Sequence, residues 1–313
     1  MRSDHDTAIA DRPVAPAPAP SQQHPPDRDR DSRRARRRGR VGKVAMYALL
    51  IVMSVPFVYP LLWMVFSAFK PANEIFAIPP ALFPREWTLD GVARIFTAQP
   101  FAQQYLNSLY IAALVTIGSV VVGALAGYAF ARIRFPFASW LFLFLMAGLF
   151  IPTEVTIIPI FRWVASLGLM NTHVPLIILP VLGPGSIVAV FIFRQFFLSL
   201  PEELEEAGRL DGLGRLGLFM RIAFPLAGPA IAAVAIMKFL VSFNMYFEPL
   251  IFLRSEHLFT VGLGLTGYQD HYGEPLYNAQ IGATALTVIP VLIVFLLAQR
   301  QFVEGLSRTG LKG

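Results

Sequence analysis

Glu202, Glu203, Glu205 and Glu206 crowd one short polar stretch that continues Ala207-Gly208-Arg209-Leu210-Asp211-Gly212. The chemistry offered here is recognition. Ser199 and Pro201 suit the opening of a helix, as a capping-type residue and a first-turn residue. The carboxylates then sit where the helix dipole favours them. Glu205 and Arg209 are spaced for an i,i+4 ion pair. Leu204, Ala207 and Gly208 share a face at i, i+3 and i+4, a strip almost free of side chains. A mid-helix glycine costs about 1 kcal/mol relative to alanine. A short helix that accepts this cost makes room for a close-packed partner, and Gly212 lets the chain turn afterwards. An amphipathic connector lying on a membrane is the alternative, but such helices usually present Lys and Arg to lipid headgroups.

A second group of polar residues lies in otherwise apolar runs: Glu154, Lys238, Asn244, Tyr246 and Glu248. A charge within a membrane costs about 2.5–3.5 kcal/mol on insertion scales, so each needs a reason. Asn244 and Glu248 are four apart and on a helix would share a face. Lining a path for a hydroxylated solute is one reading of Asn244, Tyr246, Glu248 and Glu154. An inter-helix polar contact, such as Lys238 with Glu154, is the other. His173 and His257 have no partner at metal spacing, so no metal site is expected.

No catalytic set is expected either. The sequence has no HExxH, no GxSxG and no phosphate-binding GxxxxGK[ST], so it cannot supply a nucleotide-hydrolysis site of that type. Gly212-Leu213-Gly214-Arg215-Leu216-Gly217 matches GxGxxG, but the motif needs a preceding strand and an acidic residue about 20 positions on, and both are missing.

The elements that must carry these residues are apolar. The 313 residues are 55% hydrophobic and 15% charged, with mean hydropathy +0.58, too apolar for an ordinary soluble domain. Val44–Phe69 and Leu106–Ala131 carry no charge. Val174–Phe193 and Ile281–Ala298 are similarly apolar, while Phe135–Thr153 and Ile222–Met237 run until Glu154 and Lys238 interrupt them. Six spans of about 20 residues result. The expected class is an all-α polytopic membrane protein with six transmembrane helices in residues 44–304. Pro152 and Pro159 are expected to bend the third span. Gly123 to Gly127 forms a small-residue face for internal helix packing. With no cysteine in the chain, disulfides and thiolate metal sites are excluded.

Residues 1–43 hold eleven Lys/Arg against six Asp and so most of the net charge of +6. This Pro-Ala- and Arg-rich tail lacks the apolar content to fold and is expected to be disordered. Basic residues just before a span keep that end in the cytoplasm and can touch anionic lipid. No nucleic-acid-reading fold accompanies them. Alternation then places the connections near 132–138 and 194–221, and the tail 305–313, in the cytoplasm. Those segments are rich in arginine, in accord with the positive-inside rule. Residues 70–105 and 254–280 become outer segments.

The polar stretch and the residues beyond it spell Glu206-Ala207-Gly208, then Gly212, then Ile222-Ala223-Phe224-Pro225. This resembles the EAA loop of membrane subunits of bacterial ABC importers, spanning about 201–225, with Gly208 and Phe224 as mild departures. Flanking matches include Asn107-Ser108-Leu109, Tyr128-Ala129-Phe130-Ala131-Arg132, Ile151-Pro152-Thr153-Glu154-Val155, Gly168-Leu169-Met170-Asn171-Thr172 and Arg194-Gln195-Phe196-Phe197. Together these are similar to the carbohydrate-uptake permeases, of the maltose-permease type, from about residue 45 onward. The resemblance implies a cytoplasmic coupling helix between spans four and five. Glu203, Glu206, Ala207, Gly208, Arg209, Asp211, Gly212, Ile222 and Pro225 would dock it on an ATPase. It also implies a second permease subunit, two cytoplasmic ATPases that use ATP and Mg, an extracytoplasmic sugar-binding protein, and a bacterial plasma membrane location. This chain itself would bind no cofactor. A permease for another solute, such as glycerol phosphate or an amino acid, and an ATP-independent secondary transporter are the alternatives. Residues 1–27 have nothing to fold against, so their deletion is expected to leave solute uptake intact in a membrane-inserted truncation. An uptake assay normalised to abundance checks this, and complete loss of uptake would give the tail a specific role.

Overall fold

The computed structural model describes the backbone of residues 28–309 and the side chains of residues 43–297. Contacts divide the chain into two units, one ending at Phe57 and one beginning at Val58. The helices are α1 (Arg28–Ser67), α2 (Asp90–Thr97), α3 (Phe101–Arg132), α4 (Ala138–Ala147), α5 (Thr153–Ser166), α6 (Val174–Leu182) and α7 (Ile187–Ser199). They continue as α8 (Glu203–Leu210), α9 (Arg215–Leu218), α10 (Phe224–Leu226), α11 (Gly228–Phe243), α12 (Phe247–Phe252), α13 (Val261–Gly264) and α14 (Tyr277–Thr309). Among the described residues there is no strand, and the fold class is all-helical. The expected tail overlaps α1, whose backbone is helical from Arg28 and not from about residue 44. The rest of that tail, residues 1–27, and the last residues, 310–313, lie outside the described residues.

Three helical stretches are long and apolar enough to cross a membrane alone: Lys43–Ser67, Phe101–Arg132 and Tyr277–Leu297. Three further pairs qualify only if each bent pair is one span. Ala138–Phe150 with Thr153–Ser166 bends by 101°, Val174–Leu182 with Pro184–Ser199 by 52°, and Arg215–Leu226 with Gly228–Phe243 by 76°. Each break sits at a proline, which lacks an N–H and clashes with the carbonyl four residues back. Pro152 precedes α5, Pro184 follows Gly183, and Pro229 lies in the first turn of α11. Pro159 lies inside α5 without ending it.

α3 is the central element, packed along its length on α6, α7 and α11. Glycines set how closely. A Cβ on Gly118 would lie 2.8 Å from the Val181 side chain, one on Gly123 2.9 Å from Ala189 Cβ, and one on Gly127 2.6 Å from Phe193 Cβ. The small face of Gly123 and Gly127 is therefore an internal contact with α7. Tyr128, Phe193, Phe197 and Phe219 continue this core toward the C-terminal end of α3, with the Tyr128 and Phe219 rings 5.2 Å apart. At the other end of α3, Ile95, Phe101, Ala112, Phe243, Val261, Tyr268 and Ala279 form a second core.

Buried amides and hydroxyls fix the segment that follows α12. Asn107 Nδ2 donates to the carbonyls of His257 at 2.8 Å and Phe259 at 3.0 Å. Ser108 Oγ accepts from the Val261 amide at 2.8 Å. Asn171, at φ 56, accepts on Oδ1 from the amides of Arg254 at 2.8 Å and Ser255 at 3.0 Å. Buried backbone groups need partners of this kind wherever the chain leaves helical geometry.

Gly127→Leu is expected to overpack the α3–α7 contact and destabilise the protein by about 1–3 kcal/mol, because the Arg194 amide and the Val190 carbonyl cannot withdraw from the new side chain. Gly214→Ala, whose added methyl meets nothing within 4 Å, should leave stability unchanged. Thermal unfolding of the two purified variants in detergent provides the comparison.

Candidate functional site

The polar stretch forms one built unit. α8 begins at Glu203 with Glu202 as its N-cap and no side-chain capping bond. Ser199, expected to cap, instead donates to the Phe196 carbonyl at 2.7 Å, because α7 still runs through it. The helix ends in a Schellman turn: the Gly212 amide donates to Arg209 O at 3.0 Å and the Leu213 amide to Gly208 O at 3.0 Å. Gly212 takes φ +82 with open space around it, a conformation that costs a residue with a Cβ roughly 1–2 kcal/mol.

The small face expected to receive a partner is divided. A Cβ on Gly208 would lie 2.6 Å from Ile222 Cδ1 and 2.7 Å from Leu218 Cδ2. Gly208 thus makes room for the chain's own next segment, and Ile222 faces it. Between them and α11 the backbone widens into a π-turn over Phe219–Ala223, just before Pro225, whose ring needs space at the carbonyl four residues back. Glu203, Glu206, Ala207, Arg209, Asp211, Gly212 and Pro225 are all exposed. Beside them stand Leu204, expected on the Ala207 face, and three exposed apolar side chains that spacing alone did not single out: Leu210 (89% exposed), Leu216 and Met220. The presented surface is therefore a ridge of exposed apolar side chains interleaved with charged ones.

Beneath α8, the buried pair Arg132 Nε and Glu205 Oε1 lies 3.4 Å apart, with side chains 7% and 8% exposed. The two atoms are not aligned as a hydrogen bond, so the attraction is that of an ion pair. The expected Glu205–Arg209 pair is present at 3.3 Å. Arg132 also donates through Nη2 to the Leu200 carbonyl and comes within 3.8 Å of the exposed Glu202. A polar cavity of about 730 Å³ adjoins this cluster, lined among others by Arg134, Glu206 and Arg215. The GxGxxG stretch occupies the turn and α9, with no strand before it.

The second group, except Glu154, meets at a cavity of about 580 Å³ between α5, α6, α11 and α12. Asn244, Tyr246 and Glu248 line it, together with Lys238, Ser242 and Thr156. The helical spacing used to pair Asn244 with Glu248 does not hold: α11 stops at Phe243 and α12 starts at Phe247. The break brings them to one cavity all the same. Asn244 Nδ2 closes α11 by donating to Leu240 O at 2.8 Å. Lys238 is buried and donates to the Gly185 carbonyl at the break between α6 and α7. No ion pair joins it to Glu154 among the described residues, and Glu154 is exposed in the first turn of α5, outside the cavity lining. His173, given no role by spacing, bonds Tyr110 and the Leu258 carbonyl. Among the described residues no group of three or more His, Asp or Glu could hold a metal.

The chain resembles known transport proteins over most of its length. AraQ of Halalkalibacterium halodurans, an arabinooligosaccharides transport system permease protein, is 36% identical over 259 residues, 82% of this chain and 91% of that protein. NgcG of Streptomyces coelicolor, a diacetylchitobiose uptake system permease protein, is 32% identical over 84% of this chain and 86% of its own. UgpE of Yersinia pestis, an sn-glycerol-3-phosphate transport system permease protein, is 32% identical over 83% and 94%. The fold is shared with a bacterial ABC transporter involved in the import of the acidic polysaccharide alginate, at TM-score 0.67 and 18% identity, covering 84% of this chain and 97% of that one. Residues 119–308 match the family described as the binding-protein-dependent transport system inner membrane component. With the match of residues 119–308 and these relatives, the chain belongs to the binding-protein-dependent transport system inner membrane components.

Proposed function

We propose that this chain is one of two permease subunits of an ATP-driven importer, and forms half of the path for a sugar or oligosaccharide handed over by an extracytoplasmic binding protein. The observation that carries the reading is the α8 ridge. Leu204, Ala207 and Leu210 stand exposed on a helix pinned from behind, as a rigid knob for another subunit requires. In this reading α8 and its border, Glu203, Glu206, Arg209 and Asp211, seat in a cytoplasmic ATPase that uses ATP and Mg. Closure of the ATPase pair moves α8, and the motion reopens the membrane path. The three long helices and three bent pairs, each bent pair taken as one span, support a reading of six spans with α8 between the fourth and fifth. The arginine-rich connections and both termini then face the cytoplasm. The names of AraQ and NgcG support a sugar cargo.

The cavity lined by Asn244, Tyr246 and Glu248 is the candidate path. A carboxylate, an amide and a phenol offer donors and acceptors for solute hydroxyls. Lys238 favours a second reading of the cargo, a solute bearing a phosphate or carboxylate. It is buried at the cavity wall with one backbone carbonyl as its bonded partner, and UgpE carries such a cargo by name. Glu154 fits the path less well, because it lies outside this cavity.

Gly212→Pro is expected to abolish uptake while the protein still reaches the membrane. Proline fixes φ near −65° and removes the amide that closes the turn, so α8 loses its end and its presentation. Uptake measured against membrane abundance, with co-purification of the ATPase subunits, checks this, and normal uptake at normal abundance would defeat the docking assignment. Within the cavity, Asn244→Leu should slow uptake of any cargo with the ATPases still bound. Lys238→Met should slow an anionic cargo selectively. Paired uptake assays of glycerol 3-phosphate and a neutral oligosaccharide in the reconstituted transporter separate the two readings.

A further inference from the structure

We infer that Arg132 is a positioning residue that welds the docking helix to the central membrane helix, so that α8 cannot move without α3. The inference rests on the docking reading of α8 and adds the route by which its motion enters the membrane. One guanidinium holds three elements. It belongs to the last turn of α3, donates to Leu200 O just past the end of α7, and faces Glu205 of α8 at 3.4 Å.

Exposure separates this contact from the others around it. The pairs that involve Glu202 or Arg209 each have a partner at least 60% exposed, and ion pairs of that kind are weak and screened. Arg132 and Glu205 are both over nine-tenths buried. A buried charge cannot leave its partner for water without a large penalty, so removal of one member is severe while replacement of both by apolar groups is tolerated. The pair is therefore a stiff link. Tyr128, one turn back on α3, also faces Glu205, so both α3 contacts of α8 converge on that carboxylate; α8 is seated besides by the apolar contact of Gly208 with Leu218 and Ile222. That contact joins α8 to the segment leading into α11, not to α3.

The chain's lack of cysteine permits a direct test in the assembled transporter with its partner permease, ATPases and binding protein. Arg132→Cys/Glu205→Cys, with the thiols free, is expected to keep its ATPases on purification but move about tenfold less solute per ATP, within the usual range of coupling between sites. Joining the two thiols with a short bifunctional reagent should restore the native ratio. Glu205→Gln should uncouple to a lesser degree, and Arg132→Met/Glu205→Leu should retain abundance without regaining coupling. A native ratio of solute to ATP in the open double-cysteine protein would overturn the inference, as would failure of the crosslink to restore it. Loss of the ATPases from the unsubstituted complex would instead sink the docking reading on which it stands.

Discussion

The close approach of α3 to its neighbours governs the rest. Three glycines along one helix remove the Cβ on the α3 side, so its backbone packs directly on the Val181, Ala189 and Phe193 side chains and, at Gly127, on the backbone of Val190 and Arg194. In a lipid environment, where apolar burial gives little net gain between helices, such packing is a main source of association. Because the α3 side of each contact is backbone and the partner atoms lie close to their own backbone, the contact has little side-chain slack. Displacement of the C-terminal end of α3 is then felt by the aromatic core of Tyr128, Phe193, Phe197 and Phe219 without being absorbed by rotamer changes. Packed interiors respond to strain as units.

The breaks in the apolar runs are the counterpart of this rigidity. Pro152, Pro184 and Pro229 sit where helices bend by 101°, 52° and 76°. Each frees backbone carbonyls, which membrane proteins tolerate where protein groups or a cavity re-satisfy them. At the α6–α7 break the Gly185 carbonyl, next to Pro184, is taken up by Lys238. The wall of the cavity is thus made by the same irregularity that bends the chain. Asn244 performs a similar double duty, since its amide closes α11 while the side chain lines the space.

Much of the fold could be read from periodicity and composition, because long uncharged runs have few structural options. The bend at Pro152, the internal role of Gly123 and Gly127, the Glu205–Arg209 pair and the turn at Gly212 were all legible. Their causes are local. What was not legible depends on chain segments far apart in sequence. Gly208 looked like space reserved for a partner, yet Ile222 and Leu218 fill it, a contact no spacing rule supplies. Asn244 and Glu248 were paired by a helical period that the chain abandons after Phe243. Arg132 stood in a recognised stretch, but its meeting with Glu205 needed the packing of α3 against α7, which are far apart in sequence. The bonding of Asn107, Ser108 and Asn171 was hidden for the same reason, and only their membership of the family resemblance hinted at it.

The latch of Asn107 and Ser108 on residues 257–261 has a consequence when set beside the far end of the same helix. α3 has 32 residues, about 48 Å at 1.5 Å per residue, and is clasped at both ends. A clasped rod transmits in either direction. An event that tugs the 257–261 segment is registered at the opposite tip as surely as the reverse. In the proposed importer, loading at one mouth and the stroke of an engine at the other would therefore be a single reversible equilibrium rather than two signals in sequence.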